Sequence, residues 1–172
     1  MRLAQANARY LDCKLRAIEA TNNTFKTVLP IQFRVGRWTT QALEKIATQW
    51  EPYRHPDAAW DWENIVRRYR DPDVFAFAGW VHDDRLAFVG LAITTNLAVE
   101  LKFLEGDPRS DCPLEGSRAL IALDLCSNYA QGCGKNELWV RPVNESLERL
   151  YISLGFELAA PKRQEPYFKR RV

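Results

Sequence analysis

The chain has 172 residues, 24 basic and 22 acidic, for a formal net charge of +2. It is 47% hydrophobic, 12% aromatic and 27% charged, a globular balance that excludes the disordered class. The mild charge argues against a nucleic-acid or membrane surface, and the length predicts one core of its own.

Residues 1–20 carry Leu3, Tyr10, Leu11, Leu15 and Ile18 and predict a loosely amphipathic helix that ends at Asn22-Asn23-Thr24. Ile31, Phe33 and Val35 alternate with polar neighbours and predict a strand from Ile31 to Trp38. Leu43, Ile46, Ala47 and Trp50 then fall at helical spacing, with Thr39-Thr40 as caps. Pro52 to Asp57 breaks this helix. Asp57 is the predicted N-cap of a second one, whose face is Trp62, Ile65, Val66 and Tyr69 and which Asp71-Pro72 stops.

Val74–Val81 and Leu86–Thr94 are apolar on both faces and predict central strands joined by the short polar turn at His82-Asp83-Asp84-Arg85. Ala98–Glu105 differs. Strict alternation puts Val99, Leu101 and Phe103 on one face, with Glu100 and Lys102 on the other. A loop from Gly106 to Cys112 leads into a long apolar helix that can begin early at Pro113 and ends near Gln131, before Gly132 and Gly134. Glu137–Arg141 predicts a short strand, and Asn144 caps a helix that Gly155 terminates. Phe156–Leu158 and Tyr167–Val172 close the chain as strands. The fold class is therefore α/β, with a mixed, mostly antiparallel sheet flanked by helices.

Cys13, Cys112, Cys126 and Cys133 form no C-x-x-C pair, and neither His55 nor His82 lies near a cysteine in sequence, so no metal site is expected. Arg2, Gln5, Asn7 and Arg9 interrupt the N-terminal region, and no stretch approaches 18 apolar residues. The expectation is a cytoplasmic protein with free thiols and no membrane partner.

The run Asn144-Glu145-Ser146-Leu147-Glu148-Arg149-Leu150-Tyr151-Ile152-Ser153-Leu154-Gly155-Phe156, together with the order of elements, resembles the GNAT-type N-acetyltransferases. In that family an Asn opens the fourth helix, and a Tyr stands three residues before a closing Leu-Gly-Phe. The resemblance covers residues 30–172, read as the acetyltransferase domain of about seven strands. Residues 1–29 fall outside it as an N-terminal helical extension.

The resemblance implies acetyl-CoA as co-substrate, lying between two splayed parallel strands, with its pyrophosphate on backbone N–H groups of the loop before the long helix. Free N–H groups and the helix dipole make that end an anion site. The residues implied in cofactor contact are Leu101, Phe103, Leu104, Leu114, Glu115, Gly116, Ser117, Arg118 and Asn144. The loop departs from the family pattern. Leu114 stands at the first glycine, Asp111 at the Arg or Gln, and only Gly116 matches.

Acetyl transfer to an amine needs a base for the ammonium and an acid for the departing thiolate. The resemblance makes Tyr151 the acid, against the alternative of a core aromatic. Glu100 is the first base, against an ion pair with Lys102. Glu105 is the second, brought into the cleft if a bulge switches the strand's faces, against a solvated loop carboxylate. Cys112 is read as an inert thiol, His55 and His82 as exposed turn residues. Tyr53 and Trp60 are the expected acceptor wall, the acceptor being a small-molecule or peptide amine and the chain a monomer or homodimer. The competing reading is a GNAT-like module kept for binding or regulation after catalysis was lost.

Overall fold

The computed structural model describes residues 2–172. Twelve helices and strands run in the order α1 (Arg2–Val28), β1 (Phe33–Arg37), α2 (Thr40–Lys45), α3 (Trp62–Arg68), β2 (Phe75–Val81), β3 (Arg85–Thr94), β4 (Ala98–Gly106), α4 (Arg118–Gly132), β5 (Glu137–Val140), α5 (Glu145–Ser153), β6 (Glu157–Ala159) and β7 (Tyr167–Arg171). The strands form one seven-stranded sheet in the order β1-β2-β3-β4-β5-β7-β6. Every neighbouring pair is antiparallel except β4 and β5.

Each sheet face carries its own core. On one side Val99, Leu101, Ile121, Leu125, Tyr129 and Leu138 pack under α1, α4 and α5. On the other, Ile46, Trp50, Trp62, Ile65, Leu86 and Leu91 pack under α2 and α3. The hairpin of β2 and β3 is buried on both faces, as its unbroken apolar sequence requires. Gly79 and Gly90 are fixed by close approach, since a Cβ at either would collide with the ring of Phe88 or Phe77 across the strand pair.

Four local expectations are corrected. The first helix does not stop at Asn22-Asn23-Thr24 but continues to Val28. Its polar residues find work inside the helix: Thr24 and Thr27 bond back to the carbonyls of Ala20 and Thr24. The Asn22 amide pairs with both backbone groups of Val35 at 2.8 and 3.0 Å, covering the outer edge of β1.

The helix expected over 43–50 is split, α2 passing at Ile46 into a π-helical turn that ends at Trp50. Asp57 lies in a 3-10 turn, and the carboxylate that caps α3 is Asp61, which accepts from Asn64 N at 3.1 Å. The long helix does not begin at Pro113. Bonds from Cys112 N to Arg109 O, Glu115 N to Cys112 O and Ser117 N to Leu114 O wind residues 109–117 as successive turns.

Candidate functional site

β4 and β5 pair only from Ala98↔Glu137 to Leu101↔Val140. Beyond Leu101, β4 continues to Gly106 beside β3 alone. The parallel strands therefore separate midway along β4. The cause lies in β4 itself, where Leu91 pairs with Phe103 and Ala92 with Leu101, so Lys102 is an extra residue. This bulge switches the faces.

Phe103, expected beside Val99 and Leu101, turns to the opposite side, where its ring meets Trp60 at 4.9 Å, Tyr69 at 5.7 Å and Trp62 at 6.3 Å. Leu101 and Leu104 stay on the α4 side. Glu100 and Glu105 both face the side of α2 and α3, where their bonding partners lie.

Glu100 is 4% exposed. Its expected partner Lys102 is not the one it takes. Arg141, just past β5, donates Nε to Glu100 Oε1 at 2.5 Å and holds the backbone oxygens of Glu165 and Pro166 with Nη1. Glu100 Oε2 takes no hydrogen bond among the described residues, where no buried side-chain oxygen lacks a partner, so that oxygen opens to solvent. Trp139, opposite Glu100 in register, stacks on Tyr167 with ring centroids 4.2 Å apart.

Glu105 is arranged differently. Arg54 grips it with two bonds, Nε to Oε2 at 3.0 Å and Nη2 to Oε1 at 2.9 Å. The Trp62 indole and the Trp60 backbone N–H add donors to Oε1 at 2.9 and 3.2 Å. Both side chains are nearly enclosed, 9% and 11% exposed. Four donors therefore converge on this carboxylate, three of them on Oε1.

Tyr151, on α5, lies in the core on the opposite face of the sheet. Asn144 caps α5 by accepting from Leu147 N at 2.9 Å. Phe156 N to Tyr151 O and Gly155 N to Ile152 O close the helix as a Schellman motif, with Gly155 at φ 87°. Arg170 seals the same end through Leu154 O at 2.9 Å. Tyr151 is thus held from both ends of a short helix. Its ring is in the core, 5% exposed and 5.6 Å from that of Phe156. Its hydroxyl takes no hydrogen bond among the described residues and, by the same reasoning as Glu100 Oε2, is reached by solvent. Burial, with Cys126 close by, pushes the phenol above its ordinary value of 10.

The loop before α4 accommodates its departures from the family pattern. Leu114, in place of a glycine, is fully buried, its side chain directed into the core. Gly116 keeps φ at 86° with open space around it. The N–H groups of Gly116, Arg118, Ala119 and Leu120 make no hydrogen bond among the described residues, the first helical bond being Ile121 N to Ser117 O. Ser117 occupies the N-cap position with its own hydroxyl unused.

Arg118 folds back over Gly106 and donates to Asp107 O at 2.8 Å. Asp107, 3% exposed, is held by Arg85 at 3.0 Å and by both guanidinium arms of Arg109 at 2.9 Å. Arg85 also binds Asp111 at 2.7 Å and holds its carboxyl below the usual range. A cavity of about 400 Å³ opens here, walled by Tyr53, His55, Glu105, Pro108, Glu115 and Arg118. Tyr53, 62% exposed, is therefore on the loop side, while Trp60, 37% exposed, leans on Phe103. Cys112 is buried beneath the loop.

Arg141, Arg54 and the Asp107 cluster were not singled out from the sequence. Arg141 had a readable signal, since it continues the alternation that sets Trp139 on the face of Glu100. Arg54, in an irregular stretch between helices, had none.

No protein-family model matches the chain, and neither does any curated protein sequence. Solved structures do. An acetyltransferase of the GNAT family from Staphylococcus aureus Mu50 superposes with a TM-score of 0.57 at 14% identity, over 81% of this chain and 98% of its own. An acetyltransferase from Thermus thermophilus gives 0.57 at 16% identity, over 83% and 98%. The PaiA N-acetyltransferase of Thermoplasma acidophilum, solved in complex with coenzyme A, gives 0.51 at 11% identity, over 83% and 100%.

Proposed function

We propose that this chain, which has the GNAT acetyltransferase fold, transfers an acetyl group from acetyl-CoA to a primary amine by direct transfer in a ternary complex. The observation that carries the reading is the parting of β4 from β5 beyond Leu101, with a solvent-reached carboxylate oxygen of Glu100 on one face and a solvent-reached hydroxyl of Tyr151 on the other.

The residues present fit the co-substrate. Leu114 turns inward, so replacing a glycine there obstructs nothing, and four N–H groups at the start of α4 remain open to an anion. Gly116, Ser117, Arg118 and Glu115 would border the pyrophosphate, with the backbone of Leu101, Phe103 and Leu104 along the arm, the Phe103 ring being turned away to the opposite face. Asn144 is occupied as a helix cap and serves by placing Tyr151. Acetyl-CoA supplies the acetyl group as a thioester, whose C–S bond breaks as the C–N bond forms.

Glu100 accepts the proton of the incoming ammonium at Oε2, while Arg141 fixes its other oxygen. Tyr151 gives its hydroxyl proton to the departing sulfur and takes back the second proton that the nitrogen sheds as the amide forms; burial keeps the phenol protonated well beyond neutral pH. Glu105 is a positioning residue that holds the chain from Glu51 to Trp62 against β4. The neighbour bound to coenzyme A adds support from the fold. No helix is long and apolar enough to cross a membrane among the described residues.

Isothermal titration with acetyl-CoA, with free CoA alongside, tests the first half, and saturable micromolar binding is the expected result. Absence of binding at millimolar concentration would favour a GNAT-fold module without catalysis.

A further inference from the structure

α1 crosses the end of α4 in direct contact. Cys13, buried on the inner face of α1, donates its thiol to the carbonyl of Gly132 at 3.2 Å. The point where a Cβ on Gly132 would stand is 3.6 Å from the Cβ of Cys13 and 3.7 Å from its Sγ, so the two helices are in van der Waals contact there. The next residue is Cys133, which closes α4. Its thiol and that of Cys13 lie close enough to act on each other's proton, and the Tyr129 hydroxyl, fixed on Asp73 O at 2.7 Å, adjoins that of Cys133.

The two thiols differ in access. Cys133 is partly exposed, whereas Cys13 lies behind it in the core, as do Cys112 and Cys126 elsewhere. A reagent from solvent therefore meets Cys133 first and finds Cys13 beside it. Burial pushes the Cys133 thiol from 9.0 up to about 11, although Arg9 draws it the other way. The thiolate is scarce at neutral pH, so the pair rests as thiols and its exchange quickens with alkali.

We propose that Cys13 and Cys133 are a disulfide-forming pair, a modification site that fastens α1 to α4 in the presence of a low-molecular-weight disulfide such as glutathione disulfide. The Cys133 thiolate attacks one sulfur of that reagent, joining itself to one glutathione half while the other leaves as a thiolate. The Cys13 thiolate then attacks the Cys133 sulfur, and the second glutathione leaves with the electron pair of the broken bond. The protons shed by the two cysteines go to the two glutathione thiolates. Two protein thiols are oxidised by two electrons, and one glutathione disulfide is reduced to two thiols. The bridge closes a loop of about 120 residues, which restricts the unfolded chain strongly. The acetyl-transfer reading uses neither cysteine.

The test is incubation of the folded, full chain with about 5 mM glutathione disulfide at about pH 8.5, followed by alkylation of the remaining thiols and non-reducing peptide mapping. The fragment holding Cys13 is expected joined to the fragment holding Cys133, with Cys112 and Cys126 alkylated. The bridged form is expected to melt at least about 3 °C higher than the reduced form, and dithiothreitol to restore the original melting curve. Cys13→Ser is expected to stop at a glutathione adduct on Cys133, and Cys133→Ser to leave Cys13 unmodified; melting curves of both establish that they fold. Survival of all four thiols in the parent, a lasting glutathione adduct on its Cys133, a bridge that includes Cys112 or Cys126, or an unchanged melting temperature in the bridged form would each overturn the pair.

Discussion

Arg54 and Glu105 form a two-bonded ion pair across 51 residues of sequence, and two tryptophans complete it, Trp62 through its indole and Trp60 through its backbone N–H. The pair ties an irregular stretch of chain to the end of β4, one residue before Gly106. Glu105 lies where a base would be useful, yet it is spent on holding the wall in place.

Glu105→Gln separates those roles. The amide keeps the shape but cannot accept from Arg54 on both arms, so the expected effect is a rise in the KM of the acceptor with kcat within about threefold. A true base would lose kcat by about 100-fold or more with KM little changed. Glu105→Ala leaves a mostly enclosed guanidinium with only Glu51 and the Trp60 carbonyl as partners and is expected to lower stability by up to about 3 kcal/mol, read by urea denaturation.

Glu100→Gln and Tyr151→Phe are each expected to reduce kcat by about 10²- to 10⁴-fold, while the acetyl-CoA dissociation constant stays within about threefold of the parent. Arg141→Ala acts through Glu100, and its expected signature is a lower kcat with the acetyl-CoA dissociation constant within about threefold of the parent, which Arg141→Lys partly restores. If the paired Tyr151→Phe and Glu100→Gln variants turned over at the parental rate, the assignment of acid and base would be abandoned.

Leu114 and Gly116 make opposite demands on the same loop. Leu114→Ala empties core space and is expected to cost about 2–4 kcal/mol of stability with little change in CoA affinity. Gly116→Ala puts a side chain at φ 86°, costing about 1 kcal/mol or more, and the expected result is weaker CoA binding measured by calorimetry. The reverse pattern would mean that the loop does not receive the pyrophosphate.

Stability should fall at high pH through four buried groups, Cys126, Tyr129, Cys133 and Tyr151, each of which burial pushes above its ordinary value. Burial pushes Tyr151 above 10 and Cys133 from 9.0 up to about 11. A raised folded value means the unfolded chain releases its proton first, so the contribution is complete below the unfolded pKa and disappears as pH climbs through the folded one. Urea midpoints are expected to decline above pH 9, and Cys133→Ala and Tyr151→Phe are each expected to make the decline shallower, while Cys126 and Tyr129 sustain the remainder. A flat profile in the parent would contradict these shifts.

Much of the fold was legible because its signals are local. The double-sided apolar runs marked β2 and β3, Asn144 and Gly155 bracketed α5, and Glu100 with Glu105 stood out on a half-polar strand. What was not legible depends on distant partners. Strict alternation put Phe103 with Leu101, because an extra residue in β4 shows only against its pairing with β3. Asn22 read as a helix stop, since its partner Val35 lies on a strand that the periodicity of the helix does not mention. Leu114 read as damage to a phosphate loop, because nothing nearby in sequence says that its side chain points inward. Arg141 and Arg54 matter only through what they touch.

The first helix carries a last consequence. Its residues Cys13, Lys14, Thr21 and Asn22 are matched by Gly132, Pro72, Asp124 and Val35, so two of these four anchors are made on a helix more than 100 residues downstream. At a synthesis rate of about 5–20 residues per second, the α1 surface would wait roughly 5–20 s on the ribosome before α4 exists to cover it. The earliest part of this chain to be made is thus among the last to be sheltered, and its need for a chaperone should be greatest before the second half of the sheet is complete.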